Sequence, residues 1–262
     1  MTASATIRTE TSAGVARLVI DNPARRNAMT RAMWSALPAL VAAVERDESV
    51  RVVVLEGAGE TFCAGADISE FGEARSQVEA ARRYDTLVRA ANEALLTCAK
   101  PTIALIRGAC FGGGVGLALA CDLRVAREDA RFCVPAARLG LGYPQADVDL
   151  VVSRIGVDAA ADLLFTARVL DAARAKADGL VREVHETATF EAQAQALIDA
   201  IAANAPLTLA AAKAALLETR HPPQGRDRDR VGALVARCMA SADYVEGREA
   251  FAQRRPPRFR GA

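Results

Sequence analysis

Short runs rich in Val, Ile and Leu, at Ala16 to Ile20 and Arg51 to Leu55, are bounded by turn formers and read as strands. Between them, Thr30 to Arg46 repeats apolar residues at helical spacing behind a Thr able to cap the helix. The βα rhythm continues. Gln77 to Cys98 reads as a long amphipathic helix, Pro101 to Ile106 as a buried strand, and Val115 to Ala120 as an apolar helix opening directly from the glycines before it. Leu123 to Ala126 and Arg131 to Cys133 read as two further strands. Past about Pro144 the strand signal fades, and Ala159 to Thr166, Phe190 to Ala203, Leu207 to Thr219 and Val231 to Ala240 are helical by period. His221 to Arg230, rich in Pro, Gly and alternating charge, reads as a surface connection into the last helices. The pattern predicts an α/β core of strand-turn-helix units followed by a helical C-terminal subdomain.

Composition supports a large buried core and narrows the partners. The chain is 52% hydrophobic but only 5% aromatic. Its Ala, Val and Leu suit packed helices around a buried sheet. A formal net charge of +1 provides no global field to attract nucleic acid or an anionic membrane, so any anion binding has to be local. The six cysteines contain no Cys-x-x-Cys pair and read as reduced core thiols. Met1 to Glu10 carries neither a basic n-region nor an apolar stretch, and no apolar run reaches the roughly 20 residues a membrane helix needs. The expectation is a soluble, cytoplasmic protein with no nucleic-acid or membrane partner.

Two glycine-bearing turns carry candidate chemistry. The first is Thr61-Phe62-Cys63-Ala64-Gly65-Ala66-Asp67-Ile68, and the second is Gly108-Ala109-Cys110-Phe111-Gly112-Gly113-Gly114, which runs straight into a helix. Such turns at the carboxyl ends of strands present backbone N–H groups, and a helix N-terminus adds about half a positive charge. That is an anion site, or else simply a tight strand-to-helix turn. No Gly-Lys-Ser/Thr follows and the spacing is not Gly-x-Gly-x-x-Gly, so neither a Walker loop nor a dinucleotide fingerprint is present. His185 and His221, the only histidines, have no Ser or Cys partner in a recognisable elbow, and no metal-ligand spacing is evident.

The order of several segments resembles the enoyl-CoA hydratase/isomerase, or crotonase, family. These are Asn22-Pro23 with Asn27-Ala28-Met29, Phe62 to Ile68, Lys100 to Ala104, Gly108 to Gly114, and Cys121-Asp122-Leu123. Phe165-Thr166-Ala167, Ala175 with Gly179-Leu180-Val181, and Glu246 to Phe251 continue the match over nearly the whole chain. The resemblance implies a crotonase-like spiral of ββα units over 1-200 and a helical trimerisation subdomain over 201-262. It implies a homotrimer or dimer of trimers acting on an acyl-CoA substrate, with coenzyme A present as part of that substrate and no permanently bound cofactor or metal. The backbone N–H groups of Ala66 and Gly113 would then hold the thioester oxygen, which fixed donors stabilise as charge develops on it. Arg25, Arg26 and Ala28, together with Ala64, Asp67 and Ile68, would contact coenzyme A. Phe251 and Arg254 would reach the ligand of a neighbouring subunit. Asp67 also sits where helix capping explains it equally well.

Family hydratases use two glutamates, and this chain has Gly116 and Ala136 at those positions. Neither side chain can transfer a proton, and loss of such a group typically costs about 10²–10⁴ in rate. The expected enzyme is a lyase or isomerase working through a thioester enolate rather than a standard hydratase. Tyr143 falls where the family's methylmalonyl-CoA decarboxylase carries a functional tyrosine, although that enzyme has a histidine where this chain has Ala66, and Gly142-Tyr143-Pro144 is also good turn chemistry. Asp147 and Asp149, at the start of a predicted helix, are alternative acids or mere helix-start charges. A catalytically silent acyl-CoA-binding relative is the remaining reading.

Overall fold

The computed structural model describes residues 5–70 and 78–262. The large sheet is built from β1 (Thr6–Ser12), β2 (Val15–Asp21), β3 (Val52–Gly57), β4 (Thr102–Ile106), β6 (Leu123–Arg127) and β9 (Glu183–His185), hydrogen-bonded in that order. Only the β1–β2 hairpin is antiparallel; every later pairing is parallel. A small second sheet pairs β5 (Ala109–Phe111), β7 (Arg131–Cys133) and β8 (Leu170–Asp171).

Alternation of side chains explains the layering. All of β3 is buried, as a parallel strand covered on both faces should be. Its Val53 and Leu55 point into the main core with Leu18, Ala104 and Ile106. Val52 and Val54 point the other way, into a second cluster with Ile103, Leu105 and Val125. The main core is covered by α1 (Arg31–Arg46), α2 (Val78–Thr97) and α3 (Gly113–Ala120). The second cluster is closed by Phe190, Ala194 and Ile198 of α6 (Phe190–Ala202). Thr30 caps α1, its side chain accepting from the Met33 N–H at 3.3 Å.

The chain passes from the large sheet to the small one twice, β4 into β5 and β6 into β7, and returns by β5 into β6 and β8 into β9, so successive turns of the spiral contribute to both layers. Single bridges extend the small layer towards the N-terminus, Cys63 to Cys110 and Met29 to Ala66. This stacking of successive turns brings the two glycine-bearing segments side by side.

The second half departs from the all-helical expectation. β8 and β9, of two and three residues, continue both sheets past Pro144, yet are too short to carry a period. β1 was equally invisible because only Ile7 of its seven residues is buried. The helix expected at Ala159 is the second limb of α4 (Gln145–Thr166), bent at Gly156 where φ is 77°. Within His221 to Arg230, a 3-10 turn at Pro223–Gly225 precedes α8 (Arg228–Met239), which is capped by Asp227. Gln77, the predicted start of α2, lies outside the described residues.

After α5 (Ala172–Ala177), the helices α7 (Pro206–Glu218), α8 and α9 (Ala242–Ala252) complete the chain. Lys213 ties α7 to the sheet. It is buried, and its ammonium donates to the Asp122 carboxylate at 2.8 Å and to the Lys100 carbonyl at 2.9 Å.

Candidate active site

Two turns from different rungs of the spiral form one wall of a cavity. The Cys63 N–H donates to the Ala109 carbonyl at 2.9 Å, and the Phe111 N–H returns a bond of the same length to the Cys63 carbonyl. The first turn is also fixed to the entry of α1, where the Met29 N–H donates to Gly65 at 2.8 Å and the Asp67 N–H donates to Met29 at 2.9 Å. Ala66 and Gly113 both line the cavity, which encloses about 120 Å³. Among the described residues, no protein acceptor pairs with the N–H of either one. For Gly113 this follows from its place in the first turn of α3, where helical geometry leaves the amide without an i−4 partner.

Gly65 makes the close approach of the turns possible. Its φ is +101°, and a Cβ built on it would lie 2.9 Å from the Phe111 carbonyl oxygen and 3.6 Å from the Gly113 nitrogen. Gly65→Ala is therefore expected to cost about 1–3 kcal/mol in a urea melt. Gly140→Ala, at a left-handed position with open space around it, should cost less.

The remaining walls come from distant parts of the chain. Trp34 of α1, Tyr84, Asp85 and Val88 of α2, Ala136 and Leu139 of the 3-10 helix Pro135–Leu139, and Tyr143 and Asp147 at the start of α4 face the same space. Trp34 and Tyr84 are buried, and the indole N–H donates to the tyrosine oxygen at 2.9 Å. Burial pushes the Tyr143 phenol well above its ordinary pKa, and the nearby Asp147 adds to that, so the ring stays neutral and keeps its proton. The Asp147 carboxyl is also raised. Desolvation is the main cause and the charge of Asp85 the next, while Arg89 and a hydrogen bond from Asn92 act in the opposite direction. Raised carboxyls in clefts are recurrent features of proton-transfer sites.

The other candidate residues divide clearly by position. Ala64 and Ile68 line the cavity with Ala66. Asp67 is buried and accepts from the Ser69 N–H at 3.0 Å and the Ser69 hydroxyl at 2.6 Å, which makes it the cap of the 3-10 turn Ile68–Glu70. Arg25 and Arg26 are exposed at the edge of the first turn, where the Arg26 carbonyl accepts from the Ala64 N–H at 3.0 Å; Ala28 behind them is buried. Phe251, 88% exposed, and Arg254 lie at the far end of α9 and do not line the cavity within one chain. Asp149 is exposed and accepts from Gln145, so of the two helix-start aspartates only Asp147 faces inward.

Asp85 and Asn92 were missed by sequence reading, since a charge on an amphipathic helix looks like a solvated one. The available signal was Asn92, a polar residue between Ala91 and Leu95 on the buried stripe that runs from Tyr84. Burial pushes the Cys63 and Cys121 thiols up to about 12 and raises Cys110 as well, which keeps these three cysteines protonated. Among the described residues, no cluster of His, Cys, Asp and Glu is suited to a metal ion.

Solved structures and sequences agree on what this architecture is. An enoyl-CoA hydratase/carnithine racemase from Magnetospirillum magneticum superimposes with a TM-score of 0.92 at 32% identity, covering 98% of this chain and 96% of that one. The fold is therefore that of the crotonases. The sequence model of the enoyl-CoA hydratase/isomerase family matches residues 10–262, and the chain belongs to that family, whose members act on acyl-CoA thioesters. A peroxisomal Delta(3,5)-Delta(2,4)-dienoyl-CoA isomerase of Arabidopsis thaliana is 31% identical over 97% of this chain and 95% of its own length. A 2,3-dehydroadipyl-CoA hydratase of Escherichia coli is 32% identical over 93% of this chain and 94% of its own. Relatives of comparable similarity thus include both isomerases and hydratases.

Proposed function

We propose that this enzyme isomerises an acyl-CoA thioester through its enolate, with the thioester oxygen held between the N–H groups of Ala66 and Gly113 and Asp147 moving the proton. One observation carries the reading: two unpaired main-chain donors and one desolvated carboxylate line the same cavity. With a 3-enoyl thioester, the Asp147 carboxylate takes a proton from C2 and the electron pair moves towards the thioester oxygen. The proton returns to C4 and the double bond shifts to C2–C3. Donors fixed at the site of developing charge need no reorganisation during the step, and each is typically worth about 3 kcal/mol of barrier.

Gly116 and Ala136 leave this chain without the glutamate pair that a hydratase uses to activate water. Arg25 and Arg26, with Ala28, Ala64, Asp67 and Ile68, are the residues we assign to coenzyme A. Phe251 and Arg254 would act across a trimer or hexamer interface. The same reading places the enzyme in the cytoplasm with no permanently bound cofactor.

A second reading is favoured by the neutral phenol of Tyr143 at the same cavity. A malonyl-CoA-type substrate could lose carbon dioxide there, since that reaction needs the oxyanion donors but no base.

The purified protein should be assayed with a 3-enoyl-CoA, crotonyl-CoA and methylmalonyl-CoA. Isomerisation of the first is expected, with crotonyl-CoA hydration at least about 10²-fold slower than in a relative carrying both glutamates. Rapid hydration would refute the proposal. Carbon dioxide release from methylmalonyl-CoA that disappears in Tyr143→Phe would move the assignment to the second reading, and thioester binding without turnover would leave a silent relative.

A further inference from the structure

Asn27 is 1% exposed, and its side-chain amide takes three backbone partners. Nδ2 donates to the Ala58 carbonyl at 2.9 Å and to the Thr61 carbonyl at 2.5 Å, while Oδ1 accepts from the Asn22 N–H at 3.0 Å. The first two belong to the segment leading from β3 into the first glycine turn, and the third opens the loop that carries Arg25 and Arg26. The main chain repeats the grip, since the Asn27 N–H donates to the Asn22 carbonyl at 2.8 Å. Arg26 and Asn27 are both left-handed, with φ of 51° and 58°. Asparagine tolerates that conformation better than most side chains, and it persists where surrounding contacts over-determine it. Gly57, at the end of β3, keeps the space clear: a Cβ there would lie 2.0 Å from the Thr61 carbonyl oxygen and 2.7 Å from Asn27 Nδ2.

We infer that Asn27 is the positioning residue of the Ala66 amide, tying the first turn to the arginine loop so that the two halves of the ligand's site keep one spacing. The inference rests on the reading that Ala66 meets the thioester oxygen and that Arg25 and Arg26 meet coenzyme A. Past Thr61, the Ala64 N–H donates to the Arg26 carbonyl at 3.0 Å and the Met29 N–H donates to Gly65 at 2.8 Å, and Met29 bridges Ala66 directly. Loop and turn are therefore laced on both sides of Asn27, and the Ala66 N–H points where the lacing holds it. Asn27 is the side-chain crossing in that lacing, and it alone secures the stretch before Ala64 to the loop. Through it, the grip of the arginines on the nucleotide supports the chemical step as well as binding, which is how remote binding energy raises kcat.

Asn27→Gly keeps the left-handed backbone accessible and removes all three side-chain bonds. With a 3-enoyl-CoA it should lower kcat by about 10–10²-fold, the scale of a small misplacement at the reacting centre, and change KM far less. Asn27→Asp fills the same volume and keeps the acceptor for Asn22 but loses both donors, so the same kcat loss is expected from a differently perturbed fold. The kcat advantage of the CoA ester over the N-acetylcysteamine ester should shrink in both variants. Butyryl-CoA labelled with carbon-13 at its carbonyl reads the amides without turnover. Its carbonyl resonance should move downfield on binding the wild type and move less on binding either variant. An unchanged carbonyl shift, kcat and ester ratio in these variants, even with a lowered melting temperature, would make Asn27 purely structural and overturn the inference alone. A carbonyl resonance that does not move on binding the wild type would instead remove the oxyanion reading beneath it.

Discussion

Ala66→Pro is expected to lower kcat by about 10²–10³, the loss typical of removing one donor from an oxyanion hole and equivalent to about 2.7–4 kcal/mol of barrier. Proline deletes the N–H, sets a ring carbon in its place and leaves the turn's other backbone hydrogen bonds with their partners. The hydrogen bonds stitching this segment to α1 run from Met29 to Gly65 and from Asp67 to Met29, so neither involves the Ala66 amide. Gly65 before it has the conformational freedom that a residue preceding proline needs. A structural lesion and a catalytic one can therefore be separated. Circular dichroism and coenzyme A binding should stay near wild type while single-turnover isomerisation slows. A variant that folds, binds and turns over normally would show that this amide does not meet the thioester oxygen. Gly113→Ala is a poorer probe, because its methyl would lie 2.9 Å from the Trp34 ring and disturb the cavity wall.

The elements that sequence reading located are those whose burial leaves a run or a period. Val52 to Leu55 is apolar because both faces of the sheet are covered, and Thr30 to Arg46 repeats at helical spacing because one face of α1 meets the core. β1 escaped because a hairpin edge strand is held by backbone hydrogen bonds and needs no apolar pattern. Of the small sheet, Arg131 to Cys133 was legible as a strand, whereas β5 and β8 escaped because three and two residues are too few to alternate meaningfully. At the site, the glycine turns were visible as local chemistry, whereas their adjacency is a product of the spiral. Asp85 and Asp147 are far apart in sequence, and only the packing of α2 beside α3 and α4 brings them to one cavity. Gly116 illustrates the limit most sharply. Read along the chain it marks a carboxylate that is absent, and read in space it marks a volume that Asn92 occupies.

Asp147→Asn should have two opposite effects, and their combination is more informative than either. Turnover is expected to fall by about 10²–10⁴, the usual loss when a proton-transfer group becomes an amide. Stability at neutral pH is expected to rise. The folded-state pKa of Asp147 lies above the ordinary aspartate value of 3.8, chiefly through desolvation. Below that ordinary value both the folded and the unfolded chain hold the proton, and the group is neutral in the balance. As pH rises from there through the folded pKa, the unfolded chain releases its proton first and the native state loses stability. Above the folded pKa the full penalty remains. An asparagine of the same shape never ionises and avoids it, at the cost of the base. Thermal melts of the two proteins should therefore converge at about pH 3 and separate towards pH 8, with the inactive variant melting higher. A variant that lost activity and also melted lower at pH 8 would point to a structural role for the carboxylate. Equal melting at every pH would mean that water reaches Asp147 freely, and a carboxylate so solvated could not be the poised base of this cavity.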